Sequence, residues 1–112
     1  MITKDSLKQV LIANNSEVGG FINAPCYVYD KGEGVIAKMI GIIIHDGELY
    51  SIISYERAGS NVQTIVTELN LELFSIKDLK YMEDNVNDLL NYGIGGCFSD
   101  YDVNVIEKFL KA

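Results

Sequence analysis

Apolar residues along this chain of 112 residues follow a helical spacing, then the alternation of strands, and then a helical spacing again. In the N-terminal part, Leu7, Val10 and Leu11 recur three or four residues apart, which is the interval of an amphipathic helix. We predict a short helix over residues 3–14, with Thr3 or Asp5 accepting amide protons of its first turn. Residues 16–23, which include two adjacent glycines, predict a loop that leads to the next element.

Residues 24–74 change to the alternation that is typical of β-strands. Pro25 fits only the start or the edge of a strand, because it has no backbone N–H to donate. Residues 30–34 have the composition of a turn. Two further strands are predicted over residues 61–67 and, from the alternation of three leucines, over residues 69–73.

The central strands are predicted to form a hairpin that turns at Asp46-Gly47. Both positions of a type I′ turn need a positive φ, which Asp tolerates and Gly adopts freely. A two-residue loop sets His45 opposite Glu48, and this register gives the hairpin two apolar faces. One face carries Ile42, Ile44, Leu49, Ser51 and Ile53, and the other carries Ile43, Tyr50 and Ile52. We therefore expect both faces to be covered, with Gly41 marking a bulge or a sharp bend.

Beyond Phe74 the apolar positions return to the helical interval. Ser75 and Asp78 have a capping-box-like spacing, and the helix after them is predicted to end at Gly93. A last helix is predicted to begin at Ser99 or Asp100. The inward positions are Leu79, Met82, Val86, Leu89 and Leu90 in the first helix, and Val103, Ile106, Phe109 and Leu110 in the second.

The order of these elements predicts a single α+β domain over residues 1–112, with an N-terminal helix, four or five antiparallel strands and two C-terminal helices. The strands are expected to form a strongly bent sheet or a small barrel. Residues 24–74, about half of the chain, resemble small SH3-like barrels of Tudor and KOW type, and four segments carry the resemblance. They are Gly34-Val35-Ile36, the run from Gly41 to Tyr50, Ser54-Tyr55-Glu56 and Val66-Thr67-Glu68-Leu69. The resemblance implies a binding module, and the candidates for a Tudor-like aromatic cage are Tyr27, Tyr29, Tyr50 and Tyr55.

The net charge of -7 is unevenly distributed along the chain. Residues 68–112 hold nine acidic residues against four lysines, whereas residues 1–67 hold seven acidic against five basic residues. Such a surplus of carboxylates opposes non-specific binding to nucleic acid, which depends on Lys and Arg to displace counterions from phosphates. It favours a basic protein partner instead. A second interpretation is that the charge only keeps a small protein in solution.

The chain has no apolar segment of the roughly 20 residues that a membrane helix needs. Its longest apolar run is Met39 to Ile44, and no apolar stretch follows a basic head at the N-terminus. We therefore predict neither a membrane span nor a signal peptide. Cys26 and Cys97 are predicted to be free, buried thiols in a reducing, cytoplasmic compartment.

Candidate catalytic groups are few. Either cysteine could approach His45 and supply a nucleophile beside a base, but no companion motif accompanies Cys97, and His45 is expected to be exposed beside its turn. One histidine and two cysteines are too few for the four ligands of a structural zinc site, and the acidic residues lack the spacing of a calcium loop. We predict no catalytic residue, no metal and no cofactor.

The leading hypothesis is a non-enzymatic inhibitor that occludes a basic surface of a toxin or nuclease, as immunity proteins and anti-defence proteins of phages or other mobile elements do. Its contacts are predicted on the two C-terminal helices, at Glu83, Asp84, Asp88, Asp100 and Asp102, with Tyr81, Tyr92 and Tyr101 as aromatic anchors.

The alternative is a module that binds or sequesters a small anionic, nucleotide-like ligand, in one version at an oligomer interface. Arg57, the only arginine, would hold the anion near the tyrosines of the strands, which are Tyr27, Tyr29, Tyr50 and Tyr55. Strands that are apolar on both faces also favour a homo-oligomer.

Overall fold

The computed structural model describes residues 2–13, 18–30, 33–56, 62–90 and 98–112, with side chains described except at 21–25, 27–30, 33–36 and 87–90. In chain order the elements are α1 (Lys4–Ala13), β1 (Val18–Asp30), β2 (Glu33–His45), β3 (Glu48–Tyr55), β4 (Gln63–Glu68), the 3-10 helix η1 (Leu71–Leu73), α2 (Ile76–Leu90) and α3 (Asp100–Lys111). The predicted α+β arrangement is confirmed. The helix ends predicted at residue 14 and at Gly93 lie outside the described residues.

The four strands form one antiparallel sheet in the order β1-β2-β3-β4. β1 and β4 are its two edges, so the sheet is open and is not closed into a barrel. Pro25 lies in the edge strand β1, opposite Lys38, where a residue without an N–H is tolerated. The resemblance to SH3-like barrels stays a prediction.

The hairpin between β2 and β3 has the predicted turn and register. Asp46 and Gly47 have φ angles of 51° and 80°, and His45 pairs with Glu48. The two predicted faces are also confirmed, because Ile42 and Leu49 belong to one buried cluster whereas Ile43 and Ile52 belong to another. The hairpin is therefore the centre of the molecule, covered on both sides.

The predicted irregularity at Gly41 is confirmed and affects both neighbouring strands. The register with β3 shifts between Met39 and Gly41, and the register with β1 shifts between Gly20 and Ala24. A Cβ atom on Gly41 would lie 2.6 Å from the carbonyl oxygen of Gly19 and 2.7 Å from Cζ of Phe98. Two strands and an aromatic ring thus approach closely at this bend, which only a residue without a side chain permits.

The loop predicted over residues 16–23 is wrong for residues 18–23, and residues 16 and 17 lie outside the described ones. β1 begins at Val18, and Gly19 and Gly20 pair with Ile42 and Gly41. These glycines indicated a loop because glycine weakens strands in general. Their position beside the bend explains them instead, since the backbones approach each other closely there.

The last predicted strand, over residues 69–73, is also wrong. Leu69 extends the pairing with β3 through its N–H, which donates to the carbonyl of Leu49 at 3.1 Å, but Leu71–Leu73 form a 3-10 helix. Asn70 caps this helix by accepting the N–H of Glu72 at 3.0 Å. The cap offers the backbone a local partner, so the chain turns instead of continuing the ladder.

Helices cover the sheet on both sides around two separate cores. The larger core lies under α1, α2 and η1, and the smaller core lies under α3. The larger includes Leu7, Leu11, Met39, Ile42, Leu49, Ile53, Leu69, Phe74 and Met82, and the smaller is built on Val18, Ile43, Ile52 and Ile106. Because neighbouring residues of a strand point to opposite faces, α2 and α3 lie on opposite sides of the sheet.

Candidate protein-binding surface

The α2 helix turns one side to the larger core and the other to solvent. Met82 is fully buried, and Leu79 and Val86 pack around the same core. On the outer side Tyr81 is 55% exposed, and Glu83 and Asp84 are exposed. Asp88 follows Asp84 by four positions, about one helical turn. We call Tyr81, Glu83 and Asp84 the α2 acidic surface; the side chain of the predicted contact Asp88 lies outside the described ones.

The α3 helix has the same construction on the other side of the sheet. Ile106 is fully buried in the smaller core, whereas Asp100 is exposed and Tyr101 is 48% exposed. Lys108 and Lys111 occupy the last turn, where cations suit the helix dipole. Acidic groups therefore dominate only the first part of this helix.

The predicted contact residues thus do not form one continuous surface. Those of α2 and those of α3 are separated by the sheet and its two cores. A flat basic surface that contacts α2 leaves α3 on the far side of the molecule. Tyr92 lies outside the described residues.

Both carboxylate oxygens of Asp102 have partners within the fold. Oδ1 accepts the hydroxyl of Thr64 at 2.6 Å, and Oδ2 accepts the N–H of Ser99 at 3.0 Å. The N–H of Asp102 donates in turn to Oγ of Ser99 at 3.2 Å, which completes a capping box. Thr64 is buried in β4, so Asp102 ties the start of α3 to the edge of the sheet.

His45 is not the exposed residue that its place beside the turn predicts. Its side chain is only 27% exposed, because it packs in an aromatic cluster with Tyr50 and Phe109. The ring centroids of Tyr50 and Phe109 are 4.8 Å apart, and the His45 and Phe109 rings are 5.2 Å apart. This edge-to-face packing joins the hairpin end to the last turns of α3.

The tyrosines proposed as ligand contacts are divided between the two faces. Tyr50 packs at the smaller core and Tyr55 at the larger one. The backbones of Tyr27 and Tyr29 pair with Ile36 and Gly34, and Arg57 lies outside the described residues.

A shallow cavity of about 260 Å³ lies beside Tyr55. Lys38, Ser54 and Glu56 contribute polar groups to its lining. Of the predicted ligand residues with described side chains, Tyr55 is the one that borders this cavity.

Cys26 is buried and free, as predicted. Burial raises the pKa of its thiol to about 11, although a hydrogen bond with the backbone of Met39 acts in the opposite direction. The thiol is therefore protonated near neutral pH and is a poor nucleophile. Cys97 lies outside the described residues.

No grouping of three His, Cys, Asp or Glu side chains that could hold a metal ion occurs in the described part of the chain. None of the helices among the described residues is both long and apolar enough to span a bilayer.

Comparisons with models of protein families, with curated proteins and with solved structures matched nothing.

One surface was missed by reasoning from sequence. A groove of about 490 Å³ runs beside β4, between the start of α1 and η1. Its signal in the sequence is the apolar spacing of Ile65, Leu69 and Leu73, but the last two had been placed in a further strand.

Proposed function

We propose that this protein is a non-enzymatic inhibitor that occludes a basic surface of a protein partner, in the manner of immunity or anti-defence proteins. The observation that carries the proposal is the α2 acidic surface. Its carboxylates at Glu83 and Asp84 are exposed, while the opposite side of the helix packs on the core. Both side chains are therefore accessible to a partner.

The α2 acidic surface suits a partner with clustered Lys or Arg residues. Tyr81 stands three positions before Asp84, so the ring and this carboxylate share one stripe of the helix, whereas Glu83, two positions after Tyr81, lies on another part of the exposed surface. An exposed aromatic ring beside charges is a common anchor of protein interfaces. The net charge of -7 would speed the approach of a basic partner at low ionic strength.

Charge reversal tests this proposal on the partner obtained by co-purification from the native host. We expect Glu83→Lys, Asp84→Lys and Asp88→Lys together to abolish binding of the purified partner in a titration calorimeter, because three attractive contacts become repulsive. Tyr81→Ala is expected to weaken binding by about 2 kcal/mol. Affinity of the triple variant equal to that of the parent at low salt would contradict the proposal.

The α3 helix supplies a control for net charge. Glu83→Lys with Asp84→Lys changes the charge of the molecule as much as Asp100→Lys with Glu107→Lys does. All four side chains are exposed, and the two pairs lie on opposite sides of the sheet. Loss of binding in the first pair alone indicates a local contact, whereas equal loss in both indicates only long-range attraction.

A second candidate function is supported by the cavity beside Tyr55. Lys38 would contact an anionic group of a ligand, Glu56 would accept a hydrogen bond, and the Tyr55 ring would contact a flat apolar part. These requirements describe a nucleotide-like molecule, and Arg57 follows Glu56 in the chain.

For this candidate we expect a panel of nucleotides to contain a ligand that raises the melting temperature in a concentration-dependent way. Lys38→Ala and Arg57→Ala should each remove the shift, while Lys8→Ala, a lysine of α1, should keep it. A panel without any shift would eliminate the candidate.

A further inference from the structure

The two edges of the sheet differ in how they receive another strand. β1 contains Pro25 and has an irregular register between Gly20 and Ala24, two features that hinder pairing with a further chain. β4 pairs with β3 over its whole length without a register shift. Its four central residues, Thr64 to Thr67, are all β-branched and uncharged. Within the described part of the chain, β4 therefore lacks the proline, the irregular register and the central charges that protect many edge strands.

The hydrogen bonds of β4 show which backbone groups face outward. Leu69 donates to Leu49, the residue opposite to it in the continued register, at 3.1 Å. Bonded and non-bonded pairs alternate along antiparallel strands, so Thr67 and Ile65 also bond to β3. The N–H and C=O groups of the residues between them point away from the sheet. These residues are Thr64, Val66 and Glu68.

The groove of about 490 Å³ lies against this same edge. Ile65, Leu69 and Leu73 give it an apolar lining, and exposed Thr67 stands between the first two. At one end Lys4 approaches the carboxylate of Glu68, with Nζ 3.9 Å from Oε1. An added strand would therefore meet both a row of backbone groups and an apolar recess.

We propose that a second copy of this chain occupies the edge, pairing antiparallel through β4 about a twofold axis at Val66. Val66 then faces its own counterpart, and Thr64 faces Glu68 of the second copy, so no like charges are directly opposed. Ile65 faces Thr67 of the second copy on the side of the groove. Up to about six backbone hydrogen bonds join the two strands.

The charges around β4 favour a second copy of this chain over a basic peptide as the partner at this edge. Residues 63–67 contain no carboxylate, the carboxylate of Glu68 lies beside Lys4, and that of Asp102 already accepts the hydroxyl of Thr64. A basic segment would therefore gain little here, whereas two uncharged β-branched strands match each other. Both copies carry a net charge of -7, so added salt is expected to strengthen this association. Salt would weaken the contact proposed for α2.

Sedimentation of the full chain from micromolar to millimolar concentration tests the proposal. We expect a monomer–dimer equilibrium that Thr67→Lys weakens by about tenfold or more, because a lysine on an edge strand opposes strand pairing. Asn104→Lys, an equal change of charge at an exposed position of α3, should leave the equilibrium unchanged. A monomer at every concentration, or equal dissociation constants for the two variants, overturns the proposal.

Hydrogen exchange then identifies the edge without any substitution. The amides of Thr64, Val66 and Glu68 should exchange more slowly as concentration rises, while that of Lys38, on the paired strand β2, should not change. A dimer that leaves those three amides unprotected uses another surface and overturns the proposal. The triple charge reversal on α2 should not alter the equilibrium, so failure of the inhibitor proposal and failure of this one are distinguishable.

Discussion

Replacing Gly41 with alanine should destabilise the fold by about 3 kcal/mol, at the upper end of the range for overpacked sites. The new methyl group would lie 2.6 Å from the carbonyl oxygen of Gly19 and 2.7 Å from the ring of Phe98. The first obstacle is backbone held in the pairing of β1 with β2, so it cannot rotate away. The measurement is the free energy of unfolding from urea titration, with circular dichroism as the signal.

A second substitution distinguishes this steric clash from a general loss of stability that any alanine in the strand would cause. Phe98→Leu removes one of the two obstacles, so Gly41→Ala should cost less in that background than in the parent. Gly47→Ala is a useful contrast because no atom lies within 4 Å of the added group. Its expected cost of about 1 kcal/mol comes from the positive φ alone. An unchanged unfolding free energy for Gly41→Ala would contradict the close approach described at the bend.

Asp102→Ala should cost about 2–4 kcal/mol, since it removes a helix cap and leaves the buried hydroxyl of Thr64 without its acceptor. The hydroxyl lies 2.6 Å from Oδ1 in the native fold. Asp102→Asn retains one carbonyl oxygen and is expected to lose less. Urea titration again gives the free energies.

The matched control is Asp100→Ala, which removes an exposed carboxylate from the same first turn. Its expected cost is at most about 0.5 kcal/mol, from the helix dipole. Thr64→Val completes a double-mutant cycle, in which the cost of Asp102→Ala should fall because the hydroxyl is already absent. Similar losses from Asp100→Ala and Asp102→Ala would show that the link between α3 and β4 contributes little.

Local signals predicted the centre of the fold well. Asp46-Gly47 determines its turn through backbone conformation alone, and the turn then sets the register of every residue in the hairpin. The apolar alternation of β2 and β3 further indicated two covered faces. These features depend on residues close together in the sequence, which is why they could be read from it.

Features that depend on distant contacts could not be predicted in the same way. Gly19 looks like a loop residue until its contact with the Gly41 bend is known. The leucines of η1 alternate like a strand, and only the cap at Asn70 turns them into a helix. In both cases a specific contact, and not the local preference of the residues, determines the backbone structure.

The residues predicted to contact a partner were likewise predictable only as far as local spacing determines them. Helical spacing placed Asp84 and Asp100 on outer faces, but it contains no information on which side of the sheet each helix packs. For Asp102 the sequence holds a usable signal, because Ser99 precedes it by the three positions of a capping box. Its bond to Thr64, 38 residues away in the chain, has no such signal.

The placement of α2 and α3 on opposite sides of the sheet has a consequence for substitutions on their outer faces. Each helix is held by its own set of buried side chains, so the outer residues of one helix can be replaced without disturbing the packing of the other helix. If α2 is the contact surface that we propose, substitutions at Tyr81 and Asp84 can change its specificity while the hairpin beneath keeps its packing.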